Sequence, residues 1–206
     1  MATPIGHALV GGIFYFTGNR SQTVDVPLLL VYAFFANAPD LDFLPGILMG
    51  DPGAFHHGIT HSLGFGVLFA AVAATILAVT WQRFANYGLL KLALMGFLLY
   101  ASHLLVDFFT LDDSVPYGMP LFWPLSNHYA HAPIYIIPNV LHSADQLGRH
   151  NLNVVFREMV VFGVPLLYLM TMRWWMSPKA KIIGIALVTV LVGAALGAFV
   201  QVNPYF

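Results

Sequence analysis

There is not one cysteine among the 206 residues of this chain. That excludes disulfides, thiolate metal ligands and a cysteine nucleophile, so any metal site has to be built from imidazole and carboxylate. Charge is nearly as scarce: charged residues make up 8% of the chain, where a soluble domain carries about 25%. Eight Lys and Arg stand against nine Asp and Glu, and no basic patch exists that could neutralise phosphates, so nucleic acid is not expected as a partner. The opening Met-Ala-Thr-Pro-Ile-Gly-His lacks the basic start and small-residue cleavage site of a signal peptide, and the first hydrophobic segment is expected to stay. What fills the chain instead is hydrocarbon, 59% of residues with a mean hydropathy of +0.77, which is the composition of a membrane protein.

The segments predict an all-α, polytopic membrane helix bundle in a single domain, 1–206, with about four clear spans plus two short N-terminal apolar helices. Ile5 to Phe16 and Val26 to Ala38 are the short pair, the second opened by Asp25 as N-cap and ended by Pro39. Leu63 to Trp81 and Leu89 to Phe109 each supply about 20 residues, enough for a full crossing. A polar region of about 50 residues follows, with an interfacial helix possible around Pro138 to Leu147. Glu158 to Trp175 and Ile182 to Val200 close the chain as a hairpin (158–201), with Pro165 expected to kink its first arm and Ser177-Pro178 to cap its second. Gly193-Ala-Ala-Leu-Gly197 offers a small-residue face suited to close helix packing. Trp81, Trp123, Trp174 and Trp175 read as interfacial belts.

If the segments alternate, one side receives Arg20, Arg83, Lys91, Arg173, Lys179 and Lys181, six of the eight basic residues. The positive-inside rule makes that side cytoplasmic. Both chain ends and the loops holding Pro39 to Ser62 and Asp107 to Arg157 then face outward.

On that outward face lies the chemistry. His56-His57-Gly-Ile-Thr-His61-Ser62 brings three imidazoles within six residues just ahead of an apolar span. Pro39-Asp40-Leu-Asp42 closes an earlier segment, and His103-Leu-Leu-Val-Asp107 closes a later one. Neutral imidazole and carboxylate suit zinc and similar divalent ions. His103 and Asp107, at i and i+4, share one helical face. Taken alone the pair reads as a capping contact. His57 and His61 have the same spacing if the helix extends back that far, while His56 and His61 converge only if Gly58 breaks it. Asp51, Asp112 and Asp113 read as turn residues. His7, at the start of an apolar segment, gains weight because its end meets the same face. His128, His131 and His142 are candidates for the substrate side. Capping residues with separate tasks have no reason to collect on one face from several segments, so the pattern points to one ion, or two bridged by a carboxylate, with a position left for water. The expectation is metal-assisted hydrolysis at the membrane surface, with Asp40 or Asp42 as general base or bridging ligand and His56, His61, His103 and Asp107 as ligands.

Taken together, the early Gly-His, Pro-Asp-Leu-Asp, His-x-Gly-x-Thr-His-Ser, His-Leu-Leu-x-Asp followed by Thr110, and Leu121-Phe-Trp-Pro-Leu-Ser126 resemble the YdjM-like family of inner-membrane metal-dependent hydrolases, over roughly His7 to Ser126. The resemblance implies a helical membrane hydrolase, distantly similar to zinc-dependent phospholipase C. That similarity implies one to three zinc ions, held by His103, Asp107, one of Asp40 or Asp42 and one of His56 or His61. His57 stands where many members carry Arg, which implies a catalytic role beside a phosphate, and His142 is followed at the spacing of a family ligand by Gln146. The expected substrate is a phosphoester of a membrane lipid or lipid-linked molecule. A ceramide-type zinc amidohydrolase and a non-enzymatic protein binding haem through His61 and His103 are the competing readings.

Overall fold

The computed structural model describes every residue except 1, 20, 22, 52, 114, 142–147 and 175–176. Arg20, His142, Gln146, Trp175 and the far part of the expected helix at Pro138 to Leu147 therefore lie outside the described residues. Residues 138–141 are not helical.

Helix α1 runs Pro4–Gly18, with Thr3 as N-cap accepting from the Gly6 amide. At 15 residues it is about 22 Å long, short of the ~30 Å hydrocarbon core. Helix α2, Val26–Asn37, starts as expected, the Asp25 side chain accepting from the Leu28 amide. It ends at Asn37, one residue short of the expected Ala38 and just ahead of Pro39, but the chain stays coiled: Pro39 falls in the first turn of a 3-10 segment, Ala38–Asp42, where its missing N–H has no partner to lose. The 3-10 turn passes directly into α3, Phe43–Met49, so Val26–Met49 forms one 24-residue apolar stretch.

A turn and a second 3-10 segment, Ile59–His61, lead into α4, Leu63–Thr80, capped by Ser62. The short α5, Gln82–Ala85, connects to α6, Leu89–Phe108. Helix α7, Arg149–Glu158, continues through a π-turn at Met159–Gly163 into α8, Val164–Trp174. The irregularity expected of Pro165 thus takes the form of a widened turn just before it, which frees the backbone from the ring. Ser177 caps α9, Pro178–Phe199, accepting from the Ala180 amide as predicted. Among the described residues five helical stretches are long and apolar enough to cross a membrane, and the fold is an all-α membrane bundle with one two-residue strand pair, β1 Ile134–Tyr135 and β2 Gln201–Val202.

The core forms where α1, α2, α4 and α6 meet. Tyr15, Phe35, Leu92 and Leu99 are fully enclosed there. Helix α9 stands outside it: a Cβ at Gly193 or Gly197 would meet nothing within 4 Å, so the small-residue face packs against no other helix of the chain. The long region after α6 is folded onto the end of the bundle. Ala132 and Ile136 donate to the carbonyls of Phe108 and Phe109, and the Leu63 amide donates to the Leu121 carbonyl. Gly64 is what permits this seat, since a Cβ there would stand 2.2 Å from the Trp123 carbonyl oxygen.

Candidate metal centre

Asp40 and Asp42 leave the Ala38–Asp42 3-10 turn, His61 ends the Ile59–His61 turn, and His103 and Asp107 lie one turn apart on α6. Helix packing brings them to one buried point. His103 Nε2 is 3.4 Å from Asp40 Oδ1 and 3.1 Å from Asp107 Oδ2. His61 Nε2 is 3.5 Å and 3.7 Å from the same two oxygens. None of these four atoms has a hydrogen-bond partner among the described residues. Buried polar atoms are almost always satisfied, and a set of four orphans aimed at one another is the arrangement a cation completes. Asp40, His61, His103 and Asp107 could hold a metal ion. Around them the chain fixes the rings. His103 Nδ1 donates to the Ala36 carbonyl at 2.8 Å, which turns Nε2 inward as a free lone pair. His7 stacks on His103 with centroids 3.6 Å apart and lies 3.5 Å from Asp107 Oδ1.

A second tier lies beside the first. Asp42 Oδ2 accepts from the Thr60 hydroxyl at 2.8 Å and is 3.1 Å from His61 Nδ1, while its Oδ1 faces His56 Nδ1 at 3.4 Å. Asp40, Asp42 and His56 form another set that could hold an ion, and His56, His57 and His61 a third. Asp40, with both oxygens unpartnered, is common to the first two. His56 and His57 are neighbours in sequence yet both turn inward, because His57 takes a left-handed φ of 57°. Gly58 is extended, so the convergence expected of a glycine break is made at His57 instead. Such a φ at a residue with a Cβ costs of order 1–3 kcal/mol and persists where the surroundings enforce it.

Burial and neighbouring carboxylates set the charge of His57 and His61. Burial pushes the His57 pKa down to about 4 despite the hydrogen bond from Nδ1 to Asp112 Oδ2 at 2.9 Å. At neutral pH His57 is an uncharged ring, not a stand-in for a phosphate-binding cation. Burial acts on His61 the same way, but the Asp40 and Asp42 carboxylates outweigh it and raise its pKa above the usual 6.5. The second tier opens on a cavity of about 730 Å³, which Asp42, His56 and His57 share with apolar side chains including Leu41, Phe65 and Phe69. The first-tier groups do not line it. Asp40 and His61, from the pairs of alternatives, are thus the deep members, and Asp42 and His56 face the cavity.

Sequence reasoning missed three groups. Asp112, read as a turn residue, accepts from His57 and from the Gly118 amide. Thr60 holds Asp42. Glu158, read only as the head of a span, is fully buried and accepts from the Thr3 amide, whose neighbour Ala2 donates to Asp107 Oδ1 at 2.9 Å. Gly6 lets it close in, a Cβ there falling 2.7 Å from the carboxyl carbon. A lone acid in an apolar span was the available signal, since such a group needs a partner. His128 and His131 join none of the sets: His131 lies against Asn203, and the His128 amide donates to Ser126. Between His61 and His103 stand the oxygens of Asp40 and Asp107, where a haem would need an empty slot.

No curated protein and no solved structure matches the chain. The family model described as YdjM inner membrane protein matches residues 1–202. A polytopic bundle with buried His and Asp at one end, matched over nearly its whole length, belongs to the YdjM inner membrane protein family.

Proposed function

We propose that this protein is a zinc-dependent hydrolase that cleaves a phosphoester of a lipid or lipid-linked substrate at the outer face of the membrane. One observation carries the reading: the distances of 3.1, 3.4, 3.5 and 3.7 Å among Asp40 Oδ1, His61 Nε2, His103 Nε2 and Asp107 Oδ2. Ligands bound at 2.0–2.2 Å around a tetrahedral ion stand about 3.3–3.6 Å from one another, and these four separations lie close to that range, which supports an ion of zinc's size. Four protein ligands would close that inner position. The outer set of Asp40, Asp42 and His56 supplies three, and two of them, Asp42 and His56, border the cavity, which suits a catalytic site with room for water.

When bound, such an ion supplies Lewis-acid polarisation of a phosphoryl oxygen and lowers the pKa of its water toward ~7. The chain's own residues do the rest. Asp42, which borders the cavity, is held by Thr60 through Oδ2 and faces His56 Nδ1 with Oδ1, a carboxylate placed to take a proton from water entering the cavity. His57, its Nδ1 proton committed to Asp112, offers an acceptor lone pair at Nε2. Leu41, Phe65 and Phe69 bind hydrocarbon and exclude bulk water. The outward orientation rests on charge, since Arg83 lies in α5 and Lys91, Arg173, Lys179 and Lys181 lie in the terminal turns of α6, α8 and α9, at the helix ends remote from the cluster.

Metal content of the detergent-purified protein, measured beside His103→Ala and Asp107→Asn, tests the centre, and turnover of phospholipid before and after chelation tests the chemistry. Zinc bound in the parent, lost in both variants and required for turnover is the expected result. Equal metal in all three removes the reading. One feature favours the amidohydrolase alternative: among the described residues lining the cavity there is no Lys or Arg, and Asp112 and Asp113 are present, which suits a neutral amide better than an anion. Incubation with ceramide in parallel with phospholipid separates the two.

A further inference from the structure

Helices α2 and α4 both pack on α6, through Phe35 against Gly96 and Gly66 against Tyr100, and scarcely on each other. The gap between them is a crevice of about 530 Å³. Leu30 and Phe34 of α2 form one wall; Val72, Ala73 and Ile76 of α4 form the other, and no charged or hydroxyl side chain lines it. Leu30, Phe34, Val72 and Ile76 are all exposed, so the crevice opens sideways to the bilayer rather than to water. At its upper end it adjoins the His/Asp cavity, from which the Phe69 ring, lining both and packed on Phe34 and Phe35, divides it. From Phe69 to Trp81 at its far end the crevice follows about 18 Å of chain along α4, which carries it past the bilayer midplane to the end of α4 remote from the cluster.

We infer that the α2–α4 crevice holds an acyl chain of a lipid whose head group lies in the His/Asp cavity, the lipid reaching both sideways from the membrane across Phe69. This rests on the hydrolase reading for the identity of the head-group site and extends it to the substrate class: a long-chain lipid, bound by its tail as well as its head. The observations that carry it are the Phe69 ring shared with the His/Asp cavity, the apolar lining and the lateral opening. Water is no rival occupant of such a surface, since an apolar groove offers it no partners.

The test uses the full-length protein in phosphatidylcholine vesicles doped with a phosphatidylcholine that carries a diazirine in mid-chain. Photolabelled positions are mapped in the parent, in Ala73→Phe, which fills the crevice, and in Ala71→Phe, which adds the same ring on an exposed part of α4 outside it. Labelling concentrated on Leu30, Phe34, Val72 and Ile76 over the equally exposed Val67, Leu68 and Val190 is expected. Ala73→Phe should cut it about tenfold, the ratio that a clash of about 1.4 kcal/mol produces, and Ala71→Phe should leave it unchanged. Even labelling of all bilayer-facing positions, or insensitivity to Ala73→Phe, overturns the inference. Crevice labelling without turnover of any lipid would leave the tail site standing and defeat the hydrolase reading, so the two fail separately.

Discussion

At the scale of single residues, the centre depends on contacts that hold its ligands as much as on the ligands. Asp112 fixes the tautomer of His57 from 55 residues away in sequence. Partners of this kind are worth about 10–100-fold in metal affinity or activity. Asp112→Asn should therefore lower turnover by that factor while metal content stays that of the parent, which steady-state rates beside elemental analysis read. pH gives a second expectation. The raised His61 pKa means that an ion has to displace a proton held by Asp40 and Asp42. Affinity should fall as pH drops through that raised value and level off above it, with proton release visible as a dependence of binding heat on buffer. His57, neutral down to about pH 4, adds no slope between pH 5 and 8. The i,i+4 relation of His103 and Asp107 was legible because one helical turn fixes it. Asp112 and Glu158 were not, because nothing local ties a loop acid to a ring 55 residues earlier or a span acid to the chain's third residue.

Among the elements, caps were readable and contacts were not. Asp25 and Ser177-Pro178 start their helices as their chemistry dictates. Pro39 ends the α-helix as read, but a proline also fits the first turn of a new segment, so the chain runs on through a 3-10 turn into α3. The two glycine patterns divide in the same way. Gly64→Ala should displace the Leu121–Ser126 loop, because a Cβ 2.2 Å from the Trp123 carbonyl has nowhere to go. Overpacking of this sort costs about 1–3 kcal/mol. A lower melting temperature and faster proteolysis of that loop are the expected outcomes. Gly193→Ala meets open space and removes a poor helix former, so it should leave stability unchanged or raise it by up to about 1 kcal/mol.

For the molecule as a whole, the natural absence of cysteine makes topology directly measurable. Single-cysteine variants Asp51→Cys and Lys179→Cys, treated with a membrane-impermeant maleimide on intact cells, should label at the first position only. Lys179→Cys should react after permeabilisation. The reverse pattern would turn the centre to the cytoplasm and remove the outward half of the proposal. The sequence alone determined the membrane class, the apolar spans and the gathering of His and Asp at one end of the bundle, because composition, segment length and the energetic cost of polar groups in hydrocarbon are properties of the chain itself. Only the tertiary structure decided that Asp40 and His61 lie deep while Asp42 and His56 face the cavity. It alone revealed that a left-handed residue brings His56 and His57 inward, and that α2 and α4 leave a crevice reaching the site. Those outcomes depend on how helices far apart in sequence approach one another. Spacing within a segment fixes no distance longer than a helical turn.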